Sequence, residues 1–312
     1  MTTLSLKHHD LTFSAFERGT GPLVLCLHGF PDCASSFRHQ LDALASAGYR
    51  VVAPQMRGYE PASQPADRDY NVLTIATDVV AWLDQLGVER CHLVGHDWGA
   101  VVSYMVAGLA PERLHSLTTL AVPHPGRMMR EMPVKRPRQL LLSWYMLFFQ
   151  LRGLSDYLLE RNDWALIDRL WRAWSPTFEL PEAERETIKQ TFAQPGVKRA
   201  ALAYYRALPR MWLEATSRTT LNQPVRVPTL ALTGALDGCM DTRLHDDLMR
   251  ADNYLAGLEI ARIPDAGHFL HQERPDEINR RLIEHFQASA AREALEHSGV
   301  VPHAALKTAQ QR

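Results

Sequence analysis

Residues 91–100 read CHLVGHDWGA. An apolar run stops at Gly95, and His96-Asp97-Trp98-Gly99 then leads into a helical pattern carried by Val101, Val102 and Met105. The frame is Gly-x-nucleophile-x-Gly across a strand-to-helix turn, with an aspartate in the nucleophile position. Such a turn is tight and strained, and side chains at Gly95 or Gly99 would collide with it. Taken alone, Asp97 could equally cap the following helix, its side-chain oxygen accepting from a first-turn amide.

Working outward favours chemistry over capping. In TLALTGALDGCMD, Asp237 lies just past an apolar run; in ARIPDAGHFLHQERP, His268 lies just past another. Both fall in loops at the carboxyl ends of expected strands, the same edge as the elbow, and the order nucleophile, acid, histidine is the one that accompanies this kind of turn. A triad Asp97–His268–Asp237 is expected, with Asp97 as nucleophile, His268 as general base and Asp237 orienting it. His28-Gly29-Phe30-Pro31 follows the LVLCL run of Leu23–Leu27, so the backbone N–H groups of Phe30 and Trp98 are the candidate oxyanion hole, and His28 is read as scaffold.

The rest of the chain fits a layered fold. Apolar runs at 23–27, 50–53, 91–94, 229–233 and 259–263 alternate with helical periodicity at 74–87, 243–250 and 275–286. Strands separated by helices of that length need crossover connections and a mostly parallel sheet. From 133 to 218 no strand pattern occurs, and five of the seven tryptophans fall there. That stretch, opened by the linker-like PVKRPRQ, is expected to be a helical lid (133–218) over the carboxyl edge of a core formed by 1–132 and 219–312. Residues 288–312 are Ala-rich and polar, and read as a helix followed by a tail.

Composition narrows the function. In 312 residues, 34 Lys+Arg balance 35 Asp+Glu, which lacks the clustered basic excess a nucleic-acid binder needs. Cys26, Cys33, Cys91 and Cys239 form no C-x-x-C pair, so buried free thiols in a reducing compartment are the simpler reading. The N-terminus lacks a secretory pattern, and the apolar segment at 140–151 is too short to cross a bilayer. A soluble cytoplasmic protein is expected, without nucleic-acid or membrane partners. His8-His9 and the pair His268/His271 lack the surroundings of a zinc site, and no phosphate-cradling glycine pattern is present. Neither metal nor cofactor is expected.

HGFPDCASSFRHQ, GHDWGA, the VPHP of 122–125 and the GHF of 267–269 together resemble the epoxide hydrolases of the α/β-hydrolase fold, over about residues 10–287. The resemblance implies an eight-stranded, mostly parallel sheet flanked by helices, with an inserted lid carrying two tyrosines. SWYMLFFQ is similar to the first lid motif and singles out Tyr145; AYYRALPRM is similar to the second and singles out Tyr205, with Tyr204 as its competitor. Phe30–Pro31 resembles a position that is often cis. Gln55 departs from the aspartate many relatives carry, outside the triad.

An aspartate nucleophile selects the reaction. Attack on an ester carbonyl would yield an anhydride, whereas attack on a saturated carbon yields an ester that water can cleave. Epoxide opening to a vicinal diol is therefore expected, with Tyr145 and Tyr205 donating to the epoxide oxygen and with Phe30, Trp98, Trp144, Phe149 and Phe269 lining an apolar pocket. Substrate and water are the only partners required, in a monomer or homodimer. Two alternatives stand beside it: a haloalkane dehalogenase using the same aspartate, with indole N–H groups holding the halide, and a non-catalytic ligand-binding homologue.

Overall fold

A computed structural model describes residues 2–297. Eight strands form one sheet: β1 (Thr2–His8), β2 (Leu11–Arg18), β3 (Leu23–Leu27), β4 (Arg50–Pro54), β5 (Cys91–His96), β6 (Leu114–Leu120), β7 (Thr229–Gly234) and β8 (Leu258–Ile263). They lie in the order β1-β2-β4-β3-β5-β6-β7-β8. β1 and β2 form an antiparallel hairpin, β2 pairs antiparallel with β4, and every pairing from β4 onward is parallel.

Alternation along the strands sorts side chains onto two faces. In β3, Leu23, Leu25 and Leu27 join one apolar cluster while Val24 and Cys26 join the other. Each fully buried side chain of this size contributes about 1.5–3 kcal/mol of transfer free energy. Helices α1 (Arg38–Ser46), α2 (Val72–Gln85) and α3 (Trp98–Leu109) follow β3, β4 and β5. The Asn71 side chain caps α2 by accepting from Leu73 N at 3.2 Å, and Gly87, at φ +69°, ends it.

Between β6 and β7 lies an all-helical insertion: α4 (Pro125–Lys135), α5 (Arg138–Leu142), α6 (Trp144–Phe148), α7 (Leu154–Trp174, kinked at Arg161, Asn162, Asp163 and Trp164), α8 (Glu182–Ala193), α9 (Val197–Leu213) and α10 (Ala215–Leu221). The linker expected at 133 is instead the end of α4. Pro133 removes one backbone hydrogen bond near the last turn, too late to stop the helix. After β7 come α11 (Leu244–Leu248), α12 (Leu270–Glu273) and α13 (Pro275–His297). α11 is shorter than its sequence pattern, and α13 continues past Phe286 through the Ala-rich stretch. The tail expected at 298–312 lies outside the described residues. α1 and α13 cover the face of Val24 and Cys26; α2 and α3 cover the other. The register Leu27↔Gly95 sets the loop after β3 beside the turn after β5.

Candidate active site

Asp97 joins β5 to α3 at φ +50° and ψ −115°, a conformation that costs a non-glycine residue about 1–3 kcal/mol. A Cβ on Gly99 would run into Leu27 O, and one on Gly95 into Ser103 Oγ and Gly99 O. The two glycines therefore serve close packing, while the strain sits on the aspartate. The Asp97 side chain makes no capping bond to α3. Its Oδ1 accepts instead from Phe30 N at 2.8 Å, across a cis Phe30–Pro31 turn. The Trp98 amide opens α3 beside it, where first-turn N–H groups have no partner within the helix.

Asp97 Oδ2 lies 3.6 Å from His268 Nε2, beyond direct hydrogen bonding. His268 Nδ1 lies 2.9 Å from Asp237 Oδ2, and Asp237 Oδ1 accepts from Cys239 N at 2.7 Å and Met240 N at 2.9 Å. Burial alone would lower the imidazole's pKa. The Asp237 carboxylate, and after it Asp97, outweigh burial and raise His268 to about 10. His28 accepts from Met56 N through Nε2 at 3.0 Å and faces Gly29 O through Nδ1, a structural arrangement.

The lid closes over this edge. The Tyr145 hydroxyl sits 3.3 Å from Cys239 Sγ. On α9, the Tyr205 hydroxyl is buried and makes no hydrogen bond of good geometry, whereas Tyr204 donates to Arg57 O at 2.8 Å. The two adjacent tyrosines thus differ: Tyr204 is tied to the core and Tyr205 faces Tyr145, ring centroids 5.7 Å apart. Burial pushes both phenols well above the usual tyrosine range, and the neighbouring Cys239 and Asp97 add to the rise. Both remain protonated donors at neutral pH.

Asp97, Trp98, Tyr145 and Tyr205 open onto one cavity of about 70 Å³. Four of the five expected lining residues do not place their rings in it. Trp144 is 44% exposed on the outer lid surface, because its helix turns Tyr145 inward. Phe149 is buried behind the cavity against Phe30 and Tyr205, and Phe269 stacks on Trp171 at 3.4 Å. The Phe30 ring packs among Phe149, Phe192 and Tyr205, leaving its backbone N–H to face the site. The apolar lining comes instead from Leu208, Trp212, Val101, Val122, Pro125 and five methionines.

Comparison with known proteins places these features in a family. The pattern described as alpha/beta hydrolase fold matches residues 22–275. Epoxide hydrolase 3 of Siraitia grosvenorii is 34% identical over 298 residues, covering 85% of this chain and 91% of that one. Epoxide hydrolase A of Mycobacterium tuberculosis is 31% identical, covering 84% and 89%. The chain belongs to the epoxide hydrolase family of the α/β-hydrolase fold. Among solved structures, an epoxide hydrolase of Vigna radiata superposes with a TM-score of 0.79 at 29% identity, covering 92% of this chain and 98% of that one.

Three further residues brace the site of this hydrolase and have no motif of their own. Ser175, just after α7, accepts through Oγ from His268 N at 3.1 Å and Phe269 N at 3.3 Å, and donates to Glu273 Oε1 at 2.6 Å. Glu273 Oε2 accepts from Gly267 N at 2.7 Å, and burial raises its pKa. Gln139 of α5 donates to Cys239 O and accepts from Asp241 N, holding the Asp237 loop from the lid side. Asp237, Cys239 and His268 bring potential metal donors within 4.8 Å of one another. Those donors are already engaged with one another, with backbone amides and with Tyr145.

Proposed function

We propose that the protein hydrolyses apolar epoxides to vicinal diols through an ester formed on Asp97. The observation that carries this reading is the shared cavity: the Asp97 carboxylate faces two phenols, one of them, Tyr205, with no hydrogen bond of good geometry. An epoxide oxygen leaves as a tethered alkoxide and needs a proton, which a buried, protonated phenol supplies. Oδ1 is held by Phe30 N, which leaves Oδ2 to attack the saturated carbon. One C–O bond forms, the epoxide C–O bond breaks, and a tyrosine proton passes to the departing oxygen.

Esterification removes the Asp97 charge, one of the influences that holds His268 protonated. The imidazolium then gives its proton to restore the phenol and becomes the base that the second step requires. Water deprotonated by His268 attacks the ester carbonyl, and the Phe30 and Trp98 N–H groups receive the developing negative charge. Such donors contribute about 3–4 kcal/mol each. Collapse of the intermediate releases the diol and restores Asp97 and the imidazolium.

The cavity is smaller than the roughly 300–1,000 Å³ of typical ligand sites. Its methionines, five of the ten in the chain, are the flexible side chains best able to make room. One observation favours the dehalogenase alternative: the indole N–H of Trp212 is unpartnered and its residue lines the cavity, as a halide site would require. Incubation with an aryl epoxide and a haloalkane separates the two. Diol without halide is the expected result; halide alone would reverse the assignment, and neither product would favour a binding protein. Single turnover in oxygen-18 water is expected to label the Asp97 carboxylate, and label reaching only the diol would rule out the ester.

A further inference from the structure

The lid is built inside out between α5 and the start of α7. Gln139, Ser143, Tyr145 and Phe149 point inward, while Leu140, Leu141, Trp144, Leu147, Leu151 and Leu154 point outward. Leu141 and Leu147 are each 76% exposed. Of the fourteen large hydrophobic side chains exposed among the described residues, seven fall within 140–157. Scattered exposed leucines need no explanation, but a contiguous stripe marks a surface that meets something apolar.

The charge around the stripe says what that partner is. From 125 to 155 the chain carries six Lys+Arg and one acid, Glu131, whereas the chain as a whole has a formal net charge of −1. Glu131 is already taken by Arg127, Lys135 and Arg250. Arg138 and Arg152, at either end of the stripe, are exposed and have no carboxylate partner among the described residues. Apolar side chains flanked by unpaired arginines are the composition of an element that lies in the headgroup layer of an anionic bilayer. A second copy meeting this face about a twofold axis would bring the same basic rims together, which opposes a dimer there.

We infer that the lid seats on an anionic lipid bilayer through this stripe. The expectation of no membrane partner rested on the length needed to span a bilayer; lying on one requires an exposed apolar face and cationic flanks instead. The catalytic cavity reaches the surface at Met129, itself 42% exposed, on the helix that leads into the stripe. Apolar epoxides dissolved in lipid would thus meet the opening directly. Only this delivery rests on the proposed activity; the bilayer contact stands apart from it.

The test is flotation of the full chain, without substrate, with phosphatidylcholine vesicles and with phosphatidylcholine–phosphatidylserine vesicles. Binding to the anionic vesicles is expected to exceed binding to the neutral ones by about tenfold and to weaken as salt rises. Leu141→Glu with Leu147→Glu is expected to lose about tenfold or more, since both charges would enter the interface. Leu255→Glu, exposed just before β8 at the opposite edge of the sheet, is expected to bind as the parent does. Equal binding to both vesicle types, no binding, or equal loss in Leu255→Glu would overturn the inference. So would a parent dimer that the double substitution turns into monomer. Vesicle binding by a chain that opens no epoxide would support this inference while sinking the proposed reaction.

Discussion

In the proposed reaction Asp97 and Tyr205 carry the chemistry at the residue scale, and Tyr205 has in Tyr204 a neighbour that serves as its control. Asp97→Ala is expected to lower single-turnover kcat by about 10⁴-fold or more, the scale of losing a covalent nucleophile, with the far-UV spectrum retained. Tyr205→Phe is expected to slow ester formation by about 10²-fold, within the range of one proton donor, and Tyr145→Phe similarly. Tyr204→Phe is the informative contrast. It loses the bond to Arg57 O, so about 1 kcal/mol of stability is expected to go while ester formation stays near parental. Stopped-flow tryptophan fluorescence and thermal melts separate the two effects, and a slow Tyr204→Phe would shift the donor role to the wrong tyrosine.

The element that most constrains the site is the junction where α7 ends against the loops that carry Asp237 and His268. The Trp174 carbonyl accepts from Gly238 N and His268 N, and Ser175 links His268 to Glu273. The lid is therefore part of the scaffold that aims the imidazole. Ser175→Ala would leave the Glu273 carboxylate short of a donor and the Phe269 amide without its acceptor, while His268 N keeps the Trp174 carbonyl. A loss of about 1–3 kcal/mol in denaturant unfolding is expected, with kcat falling more than KM rises because the proposed ester hydrolysis depends on His268. An unchanged kcat would show the loop to be held by the Trp174 carbonyl alone.

At the scale of the whole molecule, buried histidines set the pH response from both sides. His268 is held at about 10, above its unfolded value near 6.5, so its contribution to stability is complete below pH 6.5 and is lost as pH rises through about 10. His28 and His96 are buried neutral and lowered to about 4 and about 3, and burial lowers His271 well below the usual histidine range. The unfolded chain takes up those protons first, so their burial costs stability as pH falls from 6.5 toward 3. Melting temperature against pH is expected to show both limbs, with the alkaline one flattened in His268→Gln. Turnover adds a separate signature. In the proposed reaction, hydrolysis of the ester needs neutral His268 after the Asp97 charge is gone, so its single-turnover pKa is expected below the value titrated by NMR in the free enzyme.

Local covalent logic made part of this protein legible in one dimension. A tight turn needs its flanking glycines, loops after parallel strands converge on one edge, and an aspartate nucleophile selects a saturated carbon. Asp97, Asp237 and His268 could be named for that reason, as could β3, β4, β5 and β7, whose buried faces make them nearly continuous apolar runs. β1, β2 and β6 were harder to read, because LTFSAFER and LHSLTTL mix polar residues into their strands. The cavity was not readable either. Which face of a lid helix turns inward depends on what packs against it, so Trp144 faces solvent while Leu208 and Trp212, one and two turns beyond Tyr205, line the site. The same dependence separates Tyr204 from Tyr205: adjacent residues on a helix point about 100° apart, and only packing against the core selects which tyrosine lines the cavity with Asp97.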